Sequence, residues 1–229
     1  MPHAWFDTPM PSPDYASWRL GYEAEPFLES QLAPTPLGQF DAWFSEASDA
    51  GLVEPNAMTL ATVDADGAAA ARTVLLKGLD GRGFLFASNY TSAKGHEIAN
   101  NANVALVFAW LPMSRQVCIR GTAMRAPYEE SRAYFYSRPK GHQIGAVASA
   151  QSQVIADREV LRHAYERVEA ASVDEVAMPS HWGLFVVNPV SVEFWQGQAS
   201  RLHDRLRYRR VSDGSLDDAS AWTIERLAP

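Results

Sequence analysis

Five cationic side chains alternate along one short segment near the end of the chain. Within the run EFWQGQASRLHDRLRYRR, at 193–210, every second residue from 201 to 209 is an arginine or a histidine. If 202–209 is a strand, all five lie on one face and the apolar residues lie on the other. Like charges on one face repel, so this face is either a solvated edge or the wall of an anion site. The neighbouring Trp195, Gly197 and His203 favour a planar, phosphorylated ligand.

Three other segments place cations where an anion could bind. Arg72 and Lys77 stand in an apolar run, where an unpaired charge is costly. Their odd separation would point them to opposite faces of a regular strand, so either the strand bends or they serve different anionic groups. Alternatively, both are long side chains whose stems cover apolar surface. The segments 89–94 and 134–143 combine hydroxyls with Lys94 and Arg138, which fits phosphate binding but also ordinary helix ends.

Several kinds of chemistry have no signature in this chain. We find no glycine-rich phosphate loop of the P-loop or Rossmann type and no GxSxG motif. The six histidines lack HxxxH spacing and Cys118 is the single cysteine, so we predict no metal site and no disulfide. Cys118 lies in a strand-like run, which predicts a small buried residue rather than a nucleophile.

Composition sets the broad class. The 229 residues are 47% hydrophobic and 21% charged, which is typical of one globular domain. The net charge of -7 argues against general binding of nucleic acid or an anionic membrane. The first residues lack a basic region followed by an apolar core, and no apolar run approaches the roughly 20 residues of a membrane span. We therefore expect a soluble, cytoplasmic protein.

The order of elements indicates a mainly β protein with inserted helices. Residues 1–34 have no periodicity and are expected to form a mobile arm, whereas 35–229 are expected to form one domain. Thr35 and Pro36 begin a predicted helix, and helices are also predicted at 92–101, 127–136, 141–149 and 156–171. Strands are predicted at 57–63, 70–78, 84–88, 103–110, 115–125, 181–187, 190–196, 202–210 and 222–227. This pattern predicts an antiparallel barrel, closed or split (α+β).

Eight short strings, in order, resemble the pyridoxine/pyridoxamine 5′-phosphate oxidase family. They are RTVLLK at 72–77, SAKGHEI at 92–98, RQV at 115–117, YFYSRPKGHQIGA at 134–146, SAQS at 149–152, VEFWQG at 192–197, RLHDR at 201–205 and the closing IERLAP. The resemblance extends from about residue 35 to the end of the chain. It implies an FMN-binding split barrel that forms a homodimer, with FMN at the subunit interface.

The resemblance also implies a set of site residues. The residues that resemble FMN contacts are Arg72, Thr73, Val74, Leu75, Leu76, Lys77, Ala87, Ser88, Lys94, Gln116, Gln151, Ser152, Trp195 and Arg205. Those that resemble holders of the substrate phosphate are Lys77, Tyr134, Arg138 and, less closely, His142. Arg201 and His203 match the residues over the substrate ring and are the catalytic candidates. Arg19 and Tyr22 resemble a lid in the N-terminal arm.

The implied reaction oxidises a phosphorylated B6 vitamer. Hydride passes from the substrate to the oxidised flavin, and O2 then reoxidises the flavin. Its products are pyridoxal 5′-phosphate, hydrogen peroxide and, from the amine, ammonia. Two positions depart from the family pattern. Ala93 stands where many members carry a second arginine, so Thr91 or Ser92 are expected to supplement the phosphate site, and His142 stands where serine is common. Two alternatives stay open: a flavin oxidase of the same fold that acts on a dihydrophenazine carboxylate, and a carrier of flavin or pyridoxal phosphate without turnover.

Overall fold

Within the part of the chain that the structure describes, eight antiparallel strands form the framework. The structure is a computed structural model, and it describes residues 14, 15, 17, 21, 22 and 24–229. The strands are β1 (Ala57–Val63), β2 (Ala69–Asp80), β3 (Gly83–Asn89), β4 (Asn103–Trp110), β5 (Arg115–Arg125), β6 (Trp182–Gln196), β7 (Asp204–Arg210) and β8 (Trp222–Arg226). The order β3-β2-β1-β4-β5-β6 closes on itself because β3 also pairs with β6, so six strands make a closed barrel. The predicted fold class is confirmed.

Strand β6 is the element that both closes the barrel and extends the sheet. Its first residues, 182–187, pair with β3, and its last residues, 191–196, pair with β7. β5 pairs along nearly its whole length, with an irregularity between Arg120 and Gly121. The sequence predicted two strands here, at 181–187 and 190–196, and that prediction is wrong. Pro189 interrupts the pattern but sits opposite the irregularity, so the strand continues through it.

Among the described residues, five α-helices pack around the barrel at the places where the sequence predicted them. They are α1 (Pro36–Asp49), α2 (Ala93–Asn100), α3 (Tyr128–Ser137), α4 (Lys140–Ala148) and α5 (Arg158–Ala171). The Thr35 side chain accepts from the Gly38 amide and Pro36 occupies the first turn of α1, as predicted. In α5, Tyr165 and Val168 pack on the core, whereas Val160 and Leu161 are more than 40% exposed, so only part of its apolar stripe is covered.

Aromatic side chains fill the barrel and seal it with α1. Phe84 and Phe108 from the strands are fully buried and meet Phe40 of α1 at ring-centroid distances of 5.0 and 4.9 Å. Burying one such side chain stabilises the fold by roughly 1.5–3 kcal/mol. This core fixes the barrel wall, and therefore the strands that carry the site residues.

Phe27 and Leu32, in the segment that precedes α1, pack against this core. Phe27 is 7% exposed and its ring centroid lies 4.9 Å from that of Trp43. The mobility predicted for 1–34 stays a prediction, and Arg19 lies outside the described residues. Within the described part of the chain, no helix is long and apolar enough to cross a membrane.

Candidate functional site

A cavity of 880 Å³ opens between the barrel and three helices, and we call it the β2 cavity. It is bounded by β2, β3, α2, α3 and α4 and by the segment that follows α4. Its lining residues are Arg72, Thr73, Val74, Leu75, Lys77, Ala87, Ser88, Asn89, Lys94, Tyr134, Ser137, Arg138, Pro139, Gly141, His142, Gly145, Ala146, Ser149, Gln151 and Trp182. Four of these residues are cations, and none of the described lining residues is acidic.

A bulge in β2 explains how Arg72 and Lys77 reach the same cavity. The pairing of β2 with β3 shifts between Leu76 and Gly78, which leaves Lys77 as an extra residue. Such a residue changes the face on which the following side chains lie. Of the two alternatives that the sequence left open, the structure shows the irregular strand, and the assignment of the two cations to different anionic groups stays a prediction. Leu76 does not line the cavity and instead packs against the barrel core.

Arg72 is held in place by neighbours on β1 and α2. One guanidinium nitrogen, Nη2, donates to Glu97 Oε2 at 2.7 Å, and Nη1 donates to the Thr62 hydroxyl, which in turn donates to Glu97. Burial alone would raise the pKa of Glu97, but hydrogen bonds from Thr62 and Arg72 hold it below its ordinary value. Glu97 is thus a carboxylate that orients Arg72 from outside the cavity.

Lys94 is a buried cation whose hydrogen-bond partners, among the residues that the structure describes, include no carboxylate. Its side chain lies in the first turn of α2, and Nζ contacts Ser92 Oγ at 3.5 Å and Gln151 Oε1 at 3.3 Å, both neutral oxygens. Burial, followed by the nearby charge of Arg72, lowers the pKa of Lys94. An anion at this end of the cavity would offset both effects.

The hydroxyls expected to supplement this end are already engaged. Thr91 Oγ1 donates to Asn89 Oδ1 at 2.7 Å. Ser92 Oγ donates to Asn89 O at 2.7 Å and accepts from the Gly95 amide, which makes it the N-cap of α2. Ala93 is exposed. The structure therefore gives Ser92 and Thr91 local roles in holding the start of α2.

Ser88 and Gln151 meet beside Lys94. Ser88 Oγ lies 3.4 Å from Gln151 Oε1, and the Asn89 amide donates to the same oxygen at 3.4 Å. Ser152, the next residue, has φ 72° and does not line the cavity. Ala87, from β3, forms part of the cavity wall. The SAQS string thus folds back onto β3 although 62 residues separate the two in sequence.

A second cationic position lies at the α3–α4 end of the cavity. Arg138 stacks over Trp182, with the guanidinium carbon 4.6 Å from the ring centroid, and the Tyr134 ring is parallel to Trp182 at 6.1 Å. Arg138 Nη2 donates to His142 O at 2.9 Å. The other nitrogen, Nη1, is buried and has no hydrogen-bond partner among the described residues. Burial lowers the pKa of Arg138, and an anionic ligand would satisfy the free nitrogen.

A second group of candidates forms a row across three other strands. Gln116 on β5 is paired with Trp195 on β6, which is paired with Arg205 on β7. Arg205 donates to both oxygens of Glu193, at 2.7 and 3.2 Å, and Gln116 donates to Cys118 Sγ at 3.1 Å. Burial is the main cause that raises the pKa of Cys118 to about 11, and this disfavours a thiolate nucleophile. These residues lie outside the β2 cavity of their own chain.

The predicted strand at 202–209 begins later than expected. β7 starts at Asp204, and Arg201 lies in a 3-10 turn at Ala199–Arg201, so the five alternating cations do not share one strand. Arg207 and Arg209 both bind Glu225 of β8, at 2.5 and 2.7 Å. The prediction that all five cations lie on one face of one strand is wrong, because the strand begins only at Asp204. Arg205, Arg207 and Arg209 do alternate along β7, and each binds a carboxylate of a neighbouring strand, which the local pattern cannot show.

The Tyr22 side chain contacts two aromatic residues, Trp195 and His203, that flank the Ala199–Arg201 turn. Its ring is edge-on to Trp195 and to His203, each at 5.6 Å between centroids, and Trp195 lies 4.7 Å from His203. A Cβ at Gly197 would come within 2.8 Å of the Tyr22 ring, so glycine permits this close approach. Tyr22, Trp195 and His203 therefore form an aromatic cluster, with Arg201 exposed beside it.

Sequence reasoning missed four residues of these sites. Trp182 supports Arg138, Glu97 orients Arg72, Glu193 binds Arg205, and Asp204 is the buried carboxylate that begins β7. Only Glu97 had a local signal, because it stands three residues after Lys94 on the same helix. The other three contact residues that are distant in sequence or belong to another strand.

Comparisons with known proteins agree with this architecture. Residues 44–172 match the family model described as pyridoxamine 5′-phosphate oxidase, and residues 182–229 match the pyridoxine 5′-phosphate oxidase C-terminal dimerisation region. A pyridoxine/pyridoxamine 5′-phosphate oxidase from Salinibacter ruber is 52% identical over 216 residues, covering 93% of this chain and 98% of that one. A pyridoxine/pyridoxamine 5′-phosphate oxidase from Kineococcus radiotolerans is 48% identical over 223 residues, covering 94% of this chain and 99% of that one. The chain belongs to the pyridoxine/pyridoxamine 5′-phosphate oxidase family, a family of flavin-binding oxidoreductases.

Two solved structures share the fold. PhzG from Burkholderia lata, in complex with tetrahydrophenazine-1-carboxylic acid, has a TM-score of 0.81 and 27% identity, covering 91% of this chain and all of that one. An FMN-binding protein from Nostoc punctiforme has a TM-score of 0.66 and 18% identity, covering 87% and 99%. The second likeness concerns the fold alone.

Proposed function

We propose that this protein is an FMN-dependent oxidase that converts pyridoxine 5′-phosphate or pyridoxamine 5′-phosphate to pyridoxal 5′-phosphate. O2 is the acceptor, and the further products are hydrogen peroxide and, from the amine, ammonia. One observation carries the proposal: Arg72, Lys77, Lys94 and Arg138 line one cavity whose described lining contains no carboxylate, in a chain of net charge -7. Such a cavity suits ligands with phosphate groups.

FMN fits the end of the cavity that contains Lys94. Lys94 and Arg72 would hold its phosphate, and Ser88, Gln151 and the 73–75 stretch of β2 would contact the rest of the molecule. The buried ammonium of Lys94, bonded to neutral oxygens, is the observation that supports this fit. When bound, FMN supplies the hydride acceptor and the reaction with O2.

The substrate phosphate is assigned to the other end. The free Nη1 of Arg138 would donate to a phosphate oxygen, and Lys77, Tyr134 and His142 line the same wall. Trp182 and the bond to His142 O hold the guanidinium plane, so little reorganisation is needed when the anion binds. Arg201 and His203 would hold the substrate ring and stabilise charge that develops on it.

The remaining candidates require a second copy of the chain. Gln116, Trp195, Arg201, His203 and Arg205 lie outside the cavity of their own chain, and all but Gln116 fall within the matched dimerisation region. We propose a homodimer in which this group from one subunit completes the cavity of the other. Arg19 and Tyr22 would close over the bound substrate. The cytoplasmic location of the protein stays a prediction.

Mixing two defective variants tests the shared site. Arg138→Ala and Arg201→Ala should each lose turnover when purified alone. Exchange of subunits between them would create dimers with one intact site, and activity should recover to about a quarter of the wild-type value. If each chain contained a complete site, mixing would restore nothing.

The reaction is tested by mixing FMN-loaded protein with pyridoxine 5′-phosphate in a stopped-flow instrument without O2. Bleaching of the flavin absorbance, its return on admission of air and the appearance of pyridoxal 5′-phosphate are the expected results. Absence of bleaching with pyridoxine 5′-phosphate and with pyridoxamine 5′-phosphate, while flavin is bound, would refute the proposal. A carrier without turnover would also show no bleaching, and Arg201→Ala would then leave the measured rate unchanged.

A second candidate is oxidation of a dihydrophenazine carboxylate. The similarity in fold to PhzG favours it, with a TM-score of 0.81. Lys77, Tyr134 and Arg138, at the substrate end of the β2 cavity, favour a phosphorylated substrate instead. Offering both substrates in the same stopped-flow experiment separates the two candidates.

A further inference from the structure

The turn between β6 and β7 has an unfavourable backbone that other contacts must hold. Ser200 and Arg201 are consecutive residues with φ values of 55° and 62°. Left-handed backbone at a residue other than glycine costs on the order of 1 kcal/mol. This turn carries both ring-facing candidates, Arg201 and His203, so the contacts that hold it bear directly on the site.

Gln198 makes three of those contacts. Its backbone N–H donates to His203 Nδ1 at 3.0 Å. Its side-chain Nε2 donates to Asp204 Oδ2 at 3.0 Å and to Glu25 O at 2.9 Å. Both side-chain partners are acceptors, so the amide nitrogen, not the amide oxygen, must face them.

The bond to His203 determines where the imidazole proton lies. A backbone N–H can only donate, so Nδ1 must be the acceptor and the proton of a neutral ring is on Nε2. The ring is also confined by Trp195 and Tyr22. His203 therefore presents Nε2–H, a hydrogen-bond donor, to whatever ligand lies beside it.

The side chain of Gln198 connects the turn to the N-terminal segment and to β7. Asp204 is 9% exposed and also accepts from the Phe27 amide at 2.9 Å and from Arg226 Nη1 at 2.6 Å. Gln198 thereby joins the segment at Glu25–Phe27, the start of β7 and the turn in one hydrogen-bonded unit. Loss of its two side-chain bonds would release the turn but leave the barrel intact.

We propose that Gln198 is a positioning residue. It fixes His203 as the Nε2–H tautomer and holds the 197–203 turn so that Arg201 and His203 meet the substrate ring. His203 then acts as a hydrogen-bond donor to an acceptor atom of the substrate, such as a ring hydroxylate oxygen. This inference rests on the proposed function for the identity of the ligand, but the tautomer does not depend on it.

The tautomer is measured by long-range 1H–15N NMR of FMN-loaded protein labelled with 15N-histidine. His203 is assigned by the signals that disappear in His203→Asn, and spectra are recorded at about pH 8.5, where an ordinary imidazole is neutral. The expected pattern is an unprotonated Nδ1 and a protonated Nε2. A proton on Nδ1 would overturn the inference even if the enzyme oxidises every B6 vitamer.

The positioning role is measured with Gln198→Met, which keeps the backbone N–H and the side-chain length but removes both side-chain donors. We expect kcat to fall about tenfold, with FMN affinity within twofold of wild type and mixed tautomer signals from His203. Gln198→Lys restores donors toward Asp204 and Glu25 O and should recover most of the loss. Gln31→Met removes an amide from the same N-terminal segment without touching the turn and should leave kcat unchanged.

Other outcomes would refute the positioning role. Wild-type kcat in Gln198→Met would show that the turn holds without these bonds. Parallel losses of FMN affinity and turnover, not recovered by Gln198→Lys, would show general destabilisation. An equal loss in Gln31→Met would assign the effect to packing of the N-terminal segment. If wild-type protein oxidises no B6 vitamer, the proposed function fails, whereas the NMR experiment still decides the tautomer.

Discussion

Two cationic regions of this molecule differ in what neutralises them. The β2 cavity contains Lys94, bonded to neutral oxygens, and Arg138, with one buried nitrogen unsatisfied. The β7 arginine row, which consists of Arg205, Arg207 and Arg209, is bound by Glu193 and Glu225 of the adjacent strands. The row has the more conspicuous sequence pattern. In the cavity, Lys94 and Arg138 have no carboxylate partner among the described residues, whereas Arg72 is paired with Glu97.

The contrast shows that an anion site depends on unsatisfied charge rather than on the number of charges. Exposed ion pairs such as Arg209–Glu225 contribute at most about 1 kcal/mol and need no ligand. A buried cation among neutral groups has lost the favourable free energy of its hydration. A bound phosphate offsets this loss through its opposite charge. Substitutions in the two regions should therefore have effects of different kinds and sizes.

The largest effect is expected for Arg138→Ala. Loss of a charge-assisted bond to phosphate, worth about 1.5–3 kcal/mol, should lower kcat/KM for pyridoxine 5′-phosphate on the order of 100-fold. FMN affinity should stay within twofold of wild type. Steady-state kinetics and a flavin titration measure the two quantities. A loss of less than threefold in kcat/KM would remove Arg138 from the substrate site.

Lys94→Ala should act on the cofactor phosphate. We expect FMN to bind about 30-fold more weakly, a change of about 2 kcal/mol, while riboflavin affinity stays the same. Lys140→Ala is the matched control, because its ammonium donates to Val173 O and does not line the cavity. Fluorescence titration with both flavins measures this difference. An equal weakening of FMN and riboflavin would contradict a phosphate contact.

Glu97→Gln should change how stability depends on pH. The pKa of Glu97 lies below its ordinary value in the folded protein, so the unfolded chain binds its proton first as the pH falls. Its stabilisation is present above about pH 4.3 and is lost as the pH falls through the folded pKa. The variant should be less stable by on the order of 1 kcal/mol at pH 7, with a shallower acid decline. Urea unfolding from pH 7 to 3 measures both, and curves parallel to wild type would oppose this role.

The smallest effect is expected for Arg209→Gln in the β7 arginine row. Because its partner Glu225 keeps a bond to Arg207, the free energy of unfolding should change by less than about 1 kcal/mol. Substrate kinetics and FMN affinity should stay within twofold. A tenfold change in substrate kinetics or in FMN affinity would show that Arg209 belongs to the ligand site. The β7 arginine row and the β2 cavity would then not differ in function.

The sequence by itself determined the elements and the identity of the family. Apolar periodicity, the Thr35 cap and the glycine turns act over a few residues, so they predicted five helices and most strands. The strings RTVLLK, SAKGHEI, YFYSRPKGHQIGA and SAQS contain most of the residues that line the β2 cavity, whereas RQV, VEFWQG and RLHDR supply candidates that lie outside it. Because these signals lie within short stretches of sequence and in their order along the chain, a three-dimensional arrangement was not needed to read them.

Tertiary structure alone decided which charges are satisfied. The continuation of β6 through Pro189, the bulge at Lys77 and the carboxylates beside β7 all depend on strand pairing between residues far apart in sequence. Gln198 reaches Glu25 across 173 residues, and no local pattern encodes that bond. Burial and hydrogen bonding depend on which residues are neighbours in space. For this reason the alternating cations of 201–209 predicted one unpaired charged face, whereas in the folded chain Arg205, Arg207 and Arg209 form ion pairs.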